Sequence, residues 1–140
     1  MNNISTIEDK LIDVISKLGL FKYVGSQGRG NPPEILNYPV AFVYFLEDAD
    51  TGSNPRPVYD LIFEVLVSNK NVQAEVKAAK NTYILLDKVR DVINKKSFGI
   101  SDIEPFTCIS RQLAEYKDGI ISYKLRFKTR HYLAVPVETV

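Results

Sequence analysis

The chain of 140 residues contains a single cysteine, Cys108, and a single histidine, His131. One cysteine cannot close an internal disulfide, so nothing here requires an oxidising compartment. With one histidine, the chain lacks the ligands of most zinc sites and the usual general base of an enzyme. Cys108 has no histidine near it in sequence, and His131 ends a set of alternate inward-facing residues, which predicts a partly buried structural side chain. We therefore assign no catalytic, metal-binding or cofactor-binding residue and predict a protein that is not an enzyme.

The sequence also lacks an excess of charge and a long hydrophobic run. Eighteen basic and seventeen acidic residues leave a net charge of +1, which disfavours a general electrostatic grip on nucleic acid or on an anionic membrane. The longest apolar run, Val40–Leu46, has seven residues, whereas a membrane-spanning helix needs roughly 20. The first ten residues contain no basic region followed by an apolar core, as a signal peptide would. We expect a soluble intracellular protein with no membrane partner.

The apolar residues that are present predict two helices within one domain, residues 1–140. Ser5 is predicted to cap the first helix, with Glu8 completing a capping box, and Gly19 to end it. The second helix is predicted over residues 73–94. Its buried stripe steps by three or four residues and consists of Val72, Val76, Ala79, Tyr83, Leu86, Val89 and Ile93.

Alternating and β-branched segments predict the strands. They are a short extended piece at 20–24 and strands at 40–47, 58–68, 105–116 and 120–133. Asp118-Gly119, after Lys117, is a strong signal for a tight hairpin turn. The last strand would be over about 40 Å long, so the hairpin must bend or project from a domain whose radius of gyration is about 14 Å. The predicted fold class is α+β: a mainly antiparallel mixed sheet, with two helices packed against it and a long C-terminal β-hairpin.

Two loops rich in glycine, proline or acidic residues are predicted at 25–33 and 48–57. Residues 25–30 of the first loop superficially resemble a phosphate-binding loop, but Pro32 and Pro33 follow them and no helix is visible after them. The second begins with acidic residues at 47, 48 and 50, which lack the spacing of a calcium loop and fit a solvated strand end. Arg29 in the first loop and Arg56 in the second are candidate interaction residues.

A basic stripe on the last strand is the pattern that stands out. Alternate residues share one face of a strand, and here they are Lys124, Arg126, Lys128 and Arg130. Their spacing of about 6.6 Å approximates a phosphate track, so nucleic acid is one candidate partner. A solvent face that discourages edge aggregation is a second explanation. A third is an interface with an acidic surface, including Asp48, Asp50 or Asp60 of a neighbouring copy.

Several segments resemble a known family in ordered combination. The principal ones are Tyr83–Arg90, YILLDKVR, and Phe98–Pro105, FGISDIEP. Three shorter ones are LGLFKYV at 18–24, YPVAFV at 38–43 and FEVLV at 63–67. Together they span nearly the whole chain and resemble the Mu-like phage tail terminator family.

This resemblance implies a structural role in a phage or prophage tail. Members of such families form rings, commonly hexamers, that cap the finished tail tube and join it to the head–neck region. It therefore implies homo-oligomers, a tail tube protein and head–neck connector proteins as partners, and DNA only as it passes through a ring lumen. The expected location is the virion tail, with assembly in the host cytoplasm. A nucleic-acid-binding module using the basic stripe is the alternative.

Overall fold

The computed structural model describes residues 3–26, 37–50, 58–70 and 75–132. Within these ranges the chain forms two helices and five strands in an α+β arrangement. In chain order they are α1 (Ile4–Ser16), β1 (Tyr23–Ser26), β2 (Val40–Asp50), β3 (Val58–Lys70), α2 (Glu75–Ile93), β4 (Thr107–Lys117) and β5 (Ile120–Tyr132). The predicted fold class is confirmed.

The strands form one sheet in the order β1-β2-β3-β5-β4. β1 is parallel to β2, and each of the other neighbouring pairs is antiparallel. The sheet is therefore mixed and mainly antiparallel, as predicted. β2 continues to Asp50, three residues beyond its predicted end, because its antiparallel pairing with β3 persists to Tyr59.

The C-terminal hairpin turns where the sequence predicts it. Lys117 pairs with Ile120, and the two residues between them, Asp118 and Gly119, have φ of 53° and 75°. Tight two-residue hairpin turns need such positive φ values. β5 pairs with β3 over its whole length, so this strand does not project from the sheet. Its partner β4 has two register shifts, and such bulges bend a strand and increase its twist.

Both helices pack on one face of the sheet, and we call the opposite face the far face. Alternate residues of each strand point to the helices, which gives β3 a buried row at Leu61, Phe63, Val65 and Val67, as predicted. This row belongs to the hydrophobic core, which also contains residues of α1, of α2 and of the neighbouring strands: Ile7, Leu11, Ile15, Leu86, Val89, Ile93, Ala41, Val43, Leu125 and Phe127.

The start of α1 differs from the prediction. Asn3 is the N-cap, and its side-chain oxygen accepts a hydrogen bond from the Thr6 backbone amide at 2.8 Å. Ser5 therefore lies inside the helix rather than at its cap. Glu8 is buried and accepts hydrogen bonds from β1 and β2, so it does not complete a capping box. The predicted end is confirmed, because Gly19 has a φ of 69°, the left-handed conformation that stops a helix.

The buried face of α2 is rotated from the predicted one. Leu86, Val89 and Ile93 are buried as predicted, but Tyr83 is 48% exposed. Thr82 is fully buried in its place. One residue corresponds to about 100° around a helix, so a stripe that passes through position 82 turns Tyr83 toward the side of the helix. Position 72 of the predicted stripe lies outside the described residues, and the side chains at 76 and 79 are not described.

Candidate interaction surface

The basic stripe lies on the far face of β5, as its alternation predicts. The residues between its members face the helices, and Leu125, Phe127, Thr129 and His131 are all buried. Arg130 is exposed, whereas the other three basic residues are partly buried. The stripe is therefore embedded in the surface of the sheet rather than projecting freely from it.

Two members of the stripe are neutralised by acidic residues of β3. Glu64 and Asp60 lie directly opposite Arg126 and Arg130 in the β3–β5 register. Arg126 Nε donates to Glu64 Oε1 at 3.1 Å, and Arg130 Nε donates to Asp60 Oδ1 at 3.4 Å. Asp60, which the sequence suggested as a partner for a neighbouring copy, thus pairs within its own chain.

Glu64 makes the first of these pairs a structural one. Its side chain is 2% exposed, whereas that of Arg126 is 36% exposed. Tyr44 lies opposite Glu64 on its other side, in β2. A buried carboxylate needs a partner, because removing its counter-charge leaves the charge uncompensated. Arg126 therefore stabilises the fold, whatever else it contacts.

The two lysines of the stripe have apolar partners instead. Lys124 lies opposite Leu66 and Lys128 opposite Ile62. Within the described ranges, neither lysine takes part in an ion pair. The stripe therefore offers an external anion two lysines four residues apart, not four equivalent cations.

The remaining predicted interaction residues cannot be placed. Arg29 and Arg56 lie outside the described residues, as do the side chains of Asp48 and Asp50. The structure therefore does not bring either arginine together with the basic stripe.

His131 has the structural setting predicted for it. It is 4% exposed, and its Nε2 lies 3.2 Å from Asp102 Oδ2. Ile103 forms a β-bridge with His131, and the Glu104 backbone amide donates to the Arg130 carbonyl. These contacts fasten the connection between α2 and β4 to the end of β5.

Cys108 lies on β4 and is partly buried. Burial raises the pKa of its thiol, although the nearby Arg111 acts in the opposite direction. The thiolate is the reactive form of cysteine, so this environment makes Cys108 a poorer nucleophile. Among the described residues, no group of three or more His, Cys, Asp or Glu side chains could hold a metal ion.

An exposed apolar surface that the sequence analysis did not identify lies along β4. We call it the edge patch: Tyr83 of α2, with Leu113 and Tyr116 of β4. Leu113 is 55% exposed and pairs with Tyr123 on β5. The Tyr123 ring meets that of Tyr83 edge to face, with centroids 5.8 Å apart, so the patch crosses from the sheet to the helix.

The edge patch surrounds a tyrosine with an altered ionisation. Burial, the larger cause, and the hydrogen bond with the adjacent Tyr83 hydroxyl, a smaller one, raise the pKa of Tyr123 to about 12. Beside the patch, Arg111 of β4 makes a 2.8 Å salt bridge with Asp87 of α2. Two bulges break the alternation of β4, so simple alternation could not have shown that Leu113 and Cys108 lie on the same face, and the rotation of α2 could not be read from the sequence either.

Buried Glu8 is the other important residue that the sequence analysis misplaced. The Ser26 hydroxyl donates to Glu8 Oε1 at 2.5 Å, and the Phe45 backbone amide donates to Oε2 at 3.1 Å. The pairing of β1 with β2 ends at Ser26 and Val43. Glu8 thus contacts β2 just beyond the last residue of β2 that pairs with β1. Its side chain connects α1 to both strands.

The described helices include none that is long and apolar enough to cross a membrane.

A solved structure with a similar fold is described as the virion of native gene transfer agent (GTA) particle. The match to one of its chains has a TM-score of 0.70 and covers 93% of this chain and 95% of that one, at 11% sequence identity. No protein-family model and no curated protein matches the sequence. The likeness establishes a shared fold over nearly the full length of both chains.

Proposed function

We propose that this chain is a structural protein of a phage or phage-derived particle. The observation that carries the proposal is its end-to-end fold similarity to a chain of the GTA particle virion. Coverage is nearly complete in both directions, so the similarity concerns the whole folding unit rather than one shared motif.

Within that class we propose the role of tail terminator. In this role, copies of the chain form a ring, most simply a hexamer, that caps the tail tube and joins it to the head–neck region. The ordered sequence segments described above support this assignment. Two of them, Tyr83–Arg90 and Phe98–Pro105, form the end of α2 and the connection into β4. That connection is held by two backbone hydrogen bonds: the Lys95 amide donates to the Phe106 carbonyl, and the Phe106 amide donates to the Lys96 carbonyl.

We propose further that the protein is not an enzyme. The two side chains best suited to nucleophilic or general-base chemistry are both in structural positions. His131 is bound to Asp102, and burial raises the pKa of the Cys108 thiol. The partners would be other copies of the chain, the tail tube protein and head–neck connectors, with DNA contacted only in the ring lumen. Assembly would occur in the host cytoplasm, and the final location would be the virion tail.

The experiment that tests the role uses the purified chain and polymerised tail tubes. We expect association that increases with concentration in sedimentation velocity, and rings with a central opening in negative-stain electron micrographs. Added to tubes, the protein should label their ends rather than their sides. A strict monomer at high concentration that ignores tube ends would contradict the proposal.

Nucleic-acid binding through the basic stripe is the alternative function. Because Arg126 and Arg130 already pair with carboxylates, the cations of the stripe that make no ion pair among the described residues are Lys124 and Lys128. If the alternative held, changing both lysines to Glu would abolish DNA or RNA binding, and the wild-type affinity would fall steeply with salt. We expect the wild type to bind DNA or RNA only weakly. We expect the double variant to self-associate as the wild type does.

A further inference from the structure

We propose that β4 and the edge patch form the surface by which one copy of the chain binds the β1 side of the next copy, head to tail. This inference rests on the proposed ring assembly and names the surface that would build it. The occupant is a second copy, and three features of the fold support that choice.

The first feature is the distribution of exposed apolar side chains. Among the described residues, the large exposed hydrophobic side chains are the three of the edge patch, Ile109 on β4, Ile84 on the side of α2 that faces away from the sheet, and two leucines near the opposite edge, Leu20 and Leu46. Leu20 precedes β1 by three residues, and Leu46 lies three residues beyond the last β2 residue paired with β1. A head-to-tail contact requires two different surfaces on one molecule that fit each other, and here both edges of the sheet carry exposed apolar residues.

The second feature is the direction of the two edge strands. β1 runs parallel to β2, and each later neighbour in the sheet reverses direction, so β1 and β4 are antiparallel. A second copy that continued the sheet would place its β1 antiparallel to β4. Antiparallel neighbours can form the hydrogen-bonded ladder directly, as in recognition by strand addition. Pairing of two β4 strands around a two-fold axis would leave Leu20 and Leu46 uncovered.

The third feature is the size and charge of the surface. β4 has eleven residues and is about 36 Å long. The flank of α2 lies about 10 Å from the sheet and is about 10 Å across. The strand and this flank together form a surface of roughly 700 Å². A stable interface buries about 800 Å² per partner. The Arg111–Asp87 salt bridge beside the patch neutralises both charges, so the contact would bury no unpaired charge there.

The test places a charge on each surface. Leu113→Glu alters the edge patch, and Leu20→Glu alters the opposite edge. The matched control is Gln112→Glu, which places the same group on the adjacent exposed position of β4, facing the other side of the sheet. Far-UV circular dichroism and thermal melting establish that each variant is folded. We expect the dissociation constant between copies to rise at least tenfold in both leucine variants and less than threefold in the control, measured by sedimentation velocity.

A mixture of the two leucine variants tests the direction of the contact. The Leu113→Glu copy keeps an intact β1 side and the Leu20→Glu copy keeps an intact β4 side, so a head-to-tail contact gives a one-to-one pair that cannot grow further. Monomers in the mixture at up to millimolar concentration, or Leu113→Glu copies that assemble like the wild type, would overturn this inference. In the second case the wild-type ring, and with it the proposed function, would still stand. A wild-type chain that neither assembles nor binds tube ends would instead remove the proposed function.

Discussion

At the scale of the residue, the acidic side chains have roles that their sequence neighbours do not reveal. Glu64 lies between the buried Phe63 and Val65 of β3 and looks like a residue of the solvent face, yet its carboxylate is buried against Arg126. Asp60 pairs with Arg130 across the same two strands, but its side chain is only partly buried. The basic stripe was predicted correctly as a face of β5, but half of its charge is committed to β3. The stripe is therefore in part an internal stabilising feature of the sheet.

Changing Arg126 to Met should destabilise the fold because it leaves Glu64 buried without its counter-charge. We expect a loss of about 2 kcal/mol in the free energy of unfolding, below the usual 3–5 kcal/mol for a broken buried pair because Arg126 is partly exposed. The measurement is urea denaturation. Lys124→Met on the same face should change stability by about 0.5 kcal/mol or less. Equal effects of the two substitutions would show that the ion pair does not stabilise the protein.

Tyr123 should make stability depend on pH in the alkaline range. Its pKa is raised from 10.0 to about 12, so the folded state favours the neutral phenol. The resulting contribution is fully present below pH 10 and is lost as pH rises through about 12. We expect the stability of the wild type to fall more steeply between pH 10 and pH 12 than that of Tyr123→Phe. Parallel curves in denaturation experiments across this range would contradict the assignment.

At the scale of the element, Glu8 joins three segments that are separate in sequence. It lies on α1 and accepts hydrogen bonds from Ser26 at the end of β1 and from the Phe45 amide of β2. The latter bond is made where β2 has no β1 partner left. Short β1 is therefore held in the sheet by a helix side chain as well as by its own pairing.

Glu8→Ala should loosen this junction. The substitution leaves the buried Ser26 hydroxyl and the Phe45 amide without their acceptor, and hydrogen bonds to a charged group are worth about 1.5–3 kcal/mol each. We expect a loss of about 3 kcal/mol in the free energy of unfolding, and faster hydrogen exchange at the Phe45 amide. Ser16→Ala, at the exposed end of the same helix, is the control and should have little effect. Unchanged exchange at Phe45 would argue that another group takes over the acceptor role.

At the scale of the whole molecule, the sheet has two dissimilar edges. One is the four-residue strand β1, and the other is the eleven-residue strand β4 beside an apolar patch. Exposed strand edges and apolar patches promote association, while a net charge of +1 provides little repulsion between copies. These properties suit a protein that functions in contact with copies of itself.

Assembly should make thermal stability depend on concentration. A partner that binds only the folded state raises the melting temperature by mass action. We expect the Tm of the wild type to rise with each tenfold increase in protein concentration, and the Tm of Leu113→Glu to stay constant. Differential scanning fluorimetry over three decades of concentration provides the measurement. A concentration-independent Tm for the wild type would count against obligatory self-association.

Local sequence patterns predicted the features that depend on near neighbours along the chain. Hydrophobic periodicity identified the helices and long strands, Asp118-Gly119 located the hairpin turn, and alternation placed the basic stripe on one face. These signals are local, since each depends on dihedral preferences and side-chain direction within a few residues.

Which residues meet across the chain is set by the tertiary structure. Arg126 lies 62 positions from Glu64, and Glu8 lies 37 positions from Phe45. The exposure of Tyr83 depends in the same way on how α2 is rotated against the sheet. Such pairings are set by the packing of whole elements, so no local pattern encodes them.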